Sequence, residues 1–209
     1  HDADRLLNGN TLVVYGNEDG INDAQVKEVS PKGEIIWAWY AKAHFDKSPY
    51  KEVYDQGWTH TNAAQRLPNG NTLISLRNFN FVVEVDPQGS VVRTIGEAIL
   101  HYQHDPEVLP NGNILVANHA RPHSALEIDP KTGKVLWQFA VPDRNLWPVR
   151  DANRLPNGNT LITGTTKILE VTSEGKIVWQ LIIKGATFGG TPEAAARGFY
   201  KAERISVKR

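Results

Sequence analysis

Short runs in which apolar and polar residues alternate recur along this chain at matching places. Val26-Lys27-Glu28-Val29, Val82-Val83-Glu84-Val85, Ala125-Leu126-Glu127-Ile128 and Ile168-Leu169-Glu170-Val171 each end at a turn residue. After each comes a glycine-containing turn and another apolar run, beginning Gly33-Glu34-Ile35-Ile36-Trp37, Gly89-Ser90-Val91-Val92-Arg93, Gly133-Lys134-Val135-Leu136-Trp137 and Gly175-Lys176-Ile177-Val178-Trp179. A period of two over so short a run predicts β-strands. Ahead of each group stands one phrase: Leu6-Leu7-Asn8-Gly9-Asn10-Thr11-Leu12, Leu67-Pro68-Asn69-Gly70-Asn71-Thr72-Leu73, Leu109-Pro110-Asn111-Gly112-Asn113-Ile114-Leu115 and Leu155-Pro156-Asn157-Gly158-Asn159-Thr160-Leu161. Pro sets φ for the first corner, Asn tolerates the second, and Gly takes the left-handed position, so the phrase predicts a hairpin.

With the segment that leads into each hairpin, every unit carries four strands and recurs at roughly forty to sixty residues, the period of propeller blades. The expected fold is an all-β propeller of four-stranded antiparallel blades at about 1–57, 58–100, 101–147 and 148–185, with a closing strand at about 199–207. Four blades are the minimum for a ring, so further blades upstream of His1 are expected. Trp37, Trp137 and Trp179 read as wedges between blades. Residues 41–56 form an insertion without a counterpart in the other repeats, and a long loop on a rigid scaffold is a common carrier of function.

Composition narrows the partners. Lys and Arg number 23 against 23 Asp and Glu, so no basic stripe for nucleic acid or an anionic membrane is expected. No apolar run is long enough for a membrane-spanning helix. With Cys 0, disulfides, thiolate metal sites and thiol nucleophiles are excluded together. Neither a metal nor a cofactor is expected.

The candidate chemistry lies at one place in the repeat. Seven residues before the turn Asn stand His1, Asn62, His104 and Arg150, which would ring one mouth of a central channel. His60 precedes Asn62, and antiparallel pairing through the turn brings Arg77 opposite it; the same count sets Asn118 and His119 opposite His104. A guanidinium offers a planar fork of donors to a tetrahedral oxyanion, and imidazole serves as nucleophile, acid or base near neutrality. Three imidazoles and a guanidinium without a carboxylate pair fit transfer of a sulfuryl or phosphoryl group. Trp58 reads either as a stacking wall for an aryl ring or as a packed indole. His44, His123 and Arg121 are weaker candidates, and Arg150 either supports the anion or pairs with Asp151.

The strings Trp58-Thr59-His60-Thr61-Asn62, Leu73-Ile74-Ser75-Leu76-Arg77-Asn78-Phe79-Asn80 and Gln103-His104-Asp105, with the opening His1-Asp2-Ala3-Asp4, resemble the aryl-sulfate-dependent arylsulfotransferases. The resemblance implies a six-bladed ring that moves sulfate from one phenol to another by a ping-pong route without a nucleotide donor. It implies His104 as the histidine that is transiently sulfated, His60 and Arg77 as the pair on the sulfuryl oxygens, and His1 as a further histidine of the same site. Asn62, Trp58, Asn118, His119 and Arg150 would contact the substrate. Phenols and aryl sulfates are the implied partners, and the periplasm or the cell exterior the implied location. Two other classes stay open: a non-catalytic binding or scaffold propeller, and a quinoprotein-like propeller, for which Ile128-Asp129-Pro130-Lys131-Thr132-Gly133-Lys134-Val135-Leu136-Trp137 resembles a tryptophan-docking repeat.

Overall fold

The computed structural model describes residues 1–15, 18–119, 122–141, 149–183 and 198–205. Arg121 and the end of the expected closing strand, 206–207, lie outside them. Among the described residues sixteen strands form four antiparallel sheets in which each strand pairs with its sequence neighbour, the meander of a propeller blade. The fold is the all-β propeller type that the repeats predict.

The chain divides into two compact units, His1–Pro106 and Glu107–Arg209. The first holds the sheet of β1 (Asp2–Arg5), β2 (Thr11–Val14), β3 (Val26–Val29) and β4 (Ile35–Trp39). It also holds the sheet of β5 (Thr61–Arg66), β6 (Thr72–Leu76), β7 (Phe81–Val85) and β8 (Val91–Ile95). The boundary falls inside β9 (His104–Val108), which is followed by β10 (Ile114–Asn118), β11 (Ser124–Ile128) and β12 (Val135–Ala140). The last sheet is β13 (Val149–Arg154), β14 (Thr160–Gly164), β15 (Lys167–Val171) and β16 (Ile177–Ile182). Among the described residues no helix is long and apolar enough to cross a membrane.

The hairpins form as the phrase dictates. In the second, the Leu67 N–H reaches the Asn71 carbonyl at 2.8 Å, the Gly70 N–H reaches the Leu67 carbonyl at 2.9 Å, and Gly70 sits at φ +88°. Asn69 Oδ1 accepts the Asn71 N–H at 3.0 Å, closing the turn with a side chain. The other three repeat these bonds within 0.1 Å.

The middle strands supply the core because both faces of a blade are covered. In β6, β7, β10, β11 and β14 every residue is buried. The insertion is folded: a one-turn helix, α1 (Lys42–Phe45), and a 3₁₀ turn, Tyr50–Glu52, send Phe45 and Tyr50 against Phe79 and Phe81, with ring centroids 5.0–5.6 Å apart. Trp58 joins this aromatic cluster edge-on to Phe79 at 5.5 Å. Edge-to-face pairs of this kind add about 0.5–1.5 kcal/mol each beyond area burial.

One clamp recurs from sheet to sheet. The Glu of each third strand receives the turn asparagines: Asn10 Nδ2 lies 2.7 Å from Glu28, Asn71 2.6 Å from Glu84, Asn113 2.7 Å from Glu127 and Asn159 2.7 Å from Glu170. In all four sheets the register with the fourth strand shifts immediately after this Glu, a bulge that frees it from strict alternation. An arginine from the following first strand completes the clamp and covers a tryptophan. Arg66 is 2.7 Å from Glu28 and 5.0 Å above Trp37; Arg154 is 2.8 Å from Glu127 and 5.2 Å above Trp137. The wedge role of the two tryptophans holds, since Trp37 Nε1 donates to the Pro87 carbonyl and Trp137 Nε1 to that of Ser173. The second sheet varies the scheme: Val108 stands in the arginine's place, and Arg93, in the tryptophan's place, pairs with Glu84 (Nε to Oε2, 2.7 Å).

Residues 198–205 form no strand, yet they dock on the fourth sheet as a first strand would. Arg204 is 2.6 Å from Glu170 and 4.9 Å above Trp179, while Ala202 and Phe199 pack on Leu155, Leu161 and Ile168. The Ala202 N–H lies 3.2 Å from Asp151 Oδ2, as the Ala64 N–H lies 3.4 Å from Asp2 Oδ2 in the first unit.

Candidate functional site

In the first unit the pairing of Thr61 with Leu76 brings the ends of β5 and β6 together, so His60 and Arg77 are neighbours across the hairpin. Each is fixed by a separate device. Asp19, 2% exposed, accepts the N–H groups of Thr59 and His60 at 3.1 and 3.0 Å, the Thr59 hydroxyl at 2.6 Å and Gln25 Nε2 at 3.2 Å. This knot holds His60 at φ +47°, in the left-handed region. Gly57 makes room for it: a Cβ there would meet Asp19 Oδ1 at 2.4 Å, and its φ of +116° disfavours any side chain.

His60 is buried, and its Nδ1 faces the carbonyl oxygens of Gln56 at 3.0 Å and Asp55 at 3.4 Å. Two acceptors require the proton on Nδ1, which leaves the lone pair on Nε2. Burial pushes the imidazole below its ordinary pKa and the Arg77 guanidinium adds to the effect, against the pull of the two carbonyls and Asp19. His60 is therefore neutral at pH 7. The His1 ring lies 4.8 Å from it, centroid to centroid.

Arg77 opens the 3₁₀ turn Arg77–Phe79 after β6. Its Nη1 donates to Asn78 Oδ1 at 2.8 Å and to Asp55 Oδ2 at 3.3 Å, and its face lies 4.1 Å from the Tyr102 ring. Nε and Nη2 have no acceptor among the described residues. Asn78 is the hub of the turn: its N–H donates to the Thr59 carbonyl and its Nδ2 to the carbonyls of Asp55, Gly57 and Trp58. Tyr102 has its hydroxyl pushed above the ordinary pKa by burial and by the hydrogen bond and charge of Asp55.

His104 is reached through the segment before it. Gln103, fully buried, sends Nε2 to the Phe81 carbonyl at 2.8 Å and to Ser75 Oγ at 3.2 Å, and its own carbonyl accepts Asn62 Nδ2 at 2.7 Å. The Tyr102 N–H donates to Asn80 Oδ1 at 3.0 Å. His104, 7% exposed, follows directly and opens β9. Gln56, His60, Asn80, Tyr102 and Asp105 all take positive φ, so five of the seven non-glycine residues with this conformation among the described residues cluster around the candidate histidines and Arg77. Such strain persists where surrounding contacts over-determine it, and it concentrates at functional sites.

The structure thus brings His1, His60, Arg77 and Asn62 together with the 102–104 segment. Trp58 is 3% exposed with Nε1 bonded to the Tyr50 carbonyl at 2.8 Å; its indole serves the core. His44 stacks on Trp39 at 5.9 Å. In the second unit Asn118 is buried at the end of β10, His119 places Nε2 2.7 Å from the Val149 carbonyl, and His123 lies 6.3 Å from His119. Arg150 is 9% exposed and 5.0 Å from the Tyr200 ring, and burial pushes its pKa down. Asp151 accepts Asn153 Nδ2 at 2.7 Å. Asp19, Asp55 and Tyr102 were not singled out by the sequence. The run Asp19-Gly20 gives no periodic signal, and Asp55 and Tyr102 act through contacts with residues more than twenty positions away.

Residues 1–98 match the family model of the arylsulfotransferases (ASST). No curated protein sequence matches the chain. Among solved structures, a protein of unknown function from Bacteroides caccae is 20% identical with a TM-score of 0.57, over 87% of this chain and 66% of its own. A catalytically inactive virginiamycin B lyase from Staphylococcus aureus, solved with quinupristin, is 12% identical with a TM-score of 0.57, over 88% of this chain and 55% of its own. The WD40 β-propeller domain of Doa1 is 13% identical with a TM-score of 0.54, over 88% and 50%. These likenesses concern the fold, and the chain spans between half and two thirds of each structure's length.

Proposed function

We propose that this chain, whose first 98 residues match the arylsulfotransferase family, carries a site for transfer of a sulfuryl group between phenols. The observation that carries the reading is the meeting of Arg77 and neutral His60 beside the 102–104 segment, with His60 and Tyr102 held in the left-handed region. His104 attacks sulfur through an imidazole nitrogen: an N–S bond forms, the S–O bond to the aryl group breaks with its electron pair going to oxygen, and the phenolate leaves. An acceptor phenol then attacks the same sulfur, and the N–S bond breaks.

Arg77 offers its Nε and Nη2 edge to the non-bridging oxygens, a donor set fixed beforehand by Asn78, Asp55 and Tyr102. His60 is better suited to proton transfer than to holding the anion, because its Nδ1–H is engaged and its Nε2 is basic. In the second half-reaction His60 Nε2 takes the proton of the acceptor phenol and releases it to solvent, with His1 alongside. A periplasmic or extracellular location goes with the family.

The test is transfer of sulfate from p-nitrophenyl sulfate to phenol by the parent and by His104→Ala. Loss of at least about a thousandfold is expected when the nucleophile is removed. Equal rates in the two proteins would leave a binding propeller as the reading.

A further inference from the structure

The insertion places a carboxylate against the guanidinium of Arg77. Asp55 precedes the Gln56-Gly57 bend, and its backbone is fixed by its N–H on the Gly57 carbonyl at 3.0 Å and by its own carbonyl, which accepts Asn78 Nδ2 at 3.0 Å. Its Oδ2 lies 3.3 Å from Arg77 Nη1, and the Tyr102 hydroxyl bonds to the same carboxylate. Arg77 is mostly buried, with its side chain 16% exposed, whereas Asp55 is 43% exposed. Two further contacts of Arg77, the Asn78 amide and the Tyr102 ring, are uncharged, as is the nearby His60.

A site that bound oxyanions by charge alone would favour a phosphate monoester, doubly charged above its second pKa of about 6, over a singly charged sulfate monoester. Here the guanidinium charge is already offset by Asp55. We infer that Asp55 is a specificity-determining residue, whose carboxylate on Arg77 makes the site accept a singly charged aryl ester and reject a doubly charged one of the same shape. The ligand still meets the Nε and Nη2 donors, so the hydrogen bonds that recognise a tetrahedral group are kept. Each further negative charge on the ligand is opposed by Asp55. The inference rests on the proposed sulfuryl site and assigns the element of selectivity within it.

The experiment is calorimetric binding of phenyl sulfate and phenyl phosphate at pH 8 to the parent, Asp55→Asn, Asp55→Glu and Arg77→Ala. The parent should bind phenyl sulfate more tightly. Asp55→Asn should bind phenyl phosphate about tenfold more tightly than the parent and phenyl sulfate only about threefold more tightly, as expected for one partly solvated charge acting on two or one. Asp55→Glu, which keeps the charge, should keep the parent's preference. An unchanged ratio of the two affinities in Asp55→Asn, or the same change in Asp55→Glu as in Asp55→Asn, overturns the inference. If the parent binds no phenyl sulfate, or Arg77→Ala binds it as the parent does, the sulfuryl site itself falls and the inference with it.

Discussion

The Nδ1 atom of His60 lies 3.0 Å from the backbone carbonyl oxygen of Gln56, a residue that, like His60 itself, has a positive φ. The contact fixes the tautomer and denies the ring a second role as anion donor. Since burial and Arg77 hold its pKa below 6.5, the unfolded chain binds the proton more tightly than the folded one. Stability contributed by neutral His60 is therefore complete above about pH 6.5 and falls as the pH drops from there through the folded-state value. Nitrogen-detected NMR should show His60 neutral with Nδ1 protonated at pH 7. Titration at or above the ordinary histidine range would contradict the assignment.

Asp19 is the support on which His60 stands. Removing the carboxylate in Asp19→Ala strands the buried N–H groups of Thr59 and His60 together with the Thr59 hydroxyl. A loss of about 3 kcal/mol or more is expected in denaturant unfolding. Asp19→Asn keeps an acceptor for the His60 N–H but turns an amide donor toward Gln25 Nε2, so it should cost about half as much. Equal stability of both variants and the parent would remove Asp19 from this role.

Gly57 tests the same junction from the other side. In Gly57→Ala the methyl group would meet Asp19 Oδ1 at 2.4 Å and the Glu18 nitrogen at 2.9 Å, where the neighbours include backbone. About 2–4 kcal/mol of destabilisation should follow from the contact and the positive φ together. Transfer activity should fall further than stability explains, because the displaced group is the anchor of His60. A variant as stable and active as the parent would show that the bend tolerates a side chain.

The clamps predict acid sensitivity. Burial alone would raise Glu84 and Glu127, but the asparagine and arginine hydrogen bonds outweigh it and hold both below the ordinary value of 4.5. Their contribution is present above that value and is lost as the pH falls through the folded-state pKa. Glu127→Gln should flatten the fall in unfolding free energy below pH 5 while lowering stability at pH 7. Arg154→Ala should cost more than Arg204→Ala, since the two guanidinium side chains are 21% and 46% exposed. Equal costs at neutral pH would show that solvent access does not grade the clamps.

Fold and site were legible to different depths. The four turns could be read because their chemistry is local: Asn, Gly and Asn in a row dictate the bonds that form. The alternation gave the strands, and counting through the hairpin placed Arg77 next to His60, as the pairing of Thr61 with Leu76 confirms. The second job of the turn asparagines, holding Glu28, Glu84, Glu127 and Glu170, was not legible, since it depends on a bulge that no propensity marks. Trp58 was ambiguous because an indole suits a core and a ligand wall equally, and only the arrangement of Phe79 and Tyr50 around it decides. Asp19 and Asp55 were hidden for a related reason. Loop carboxylates look alike in sequence, and what separates an anchor, 2% exposed, from a solvated charge is the fold around it.

The stretch Tyr200-Lys201-Ala202-Glu203-Arg204-Ile205 repeats the pattern of Arg150-Asp151-Ala152-Asn153-Arg154-Leu155 and Asn62-Ala63-Ala64-Gln65-Arg66-Leu67, and it sits on its sheet in the same way. Each sheet is one sequence copy, but three of these first-strand stretches reach back and give their arginine, Arg66, Arg154 or Arg204, to the sheet before them. A gene that gains a copy of this kind gains with it the counter-ion that its predecessor lacks. Cutting the chain between sheets, however tidy in sequence, leaves an acidic residue stranded beside a bare indole.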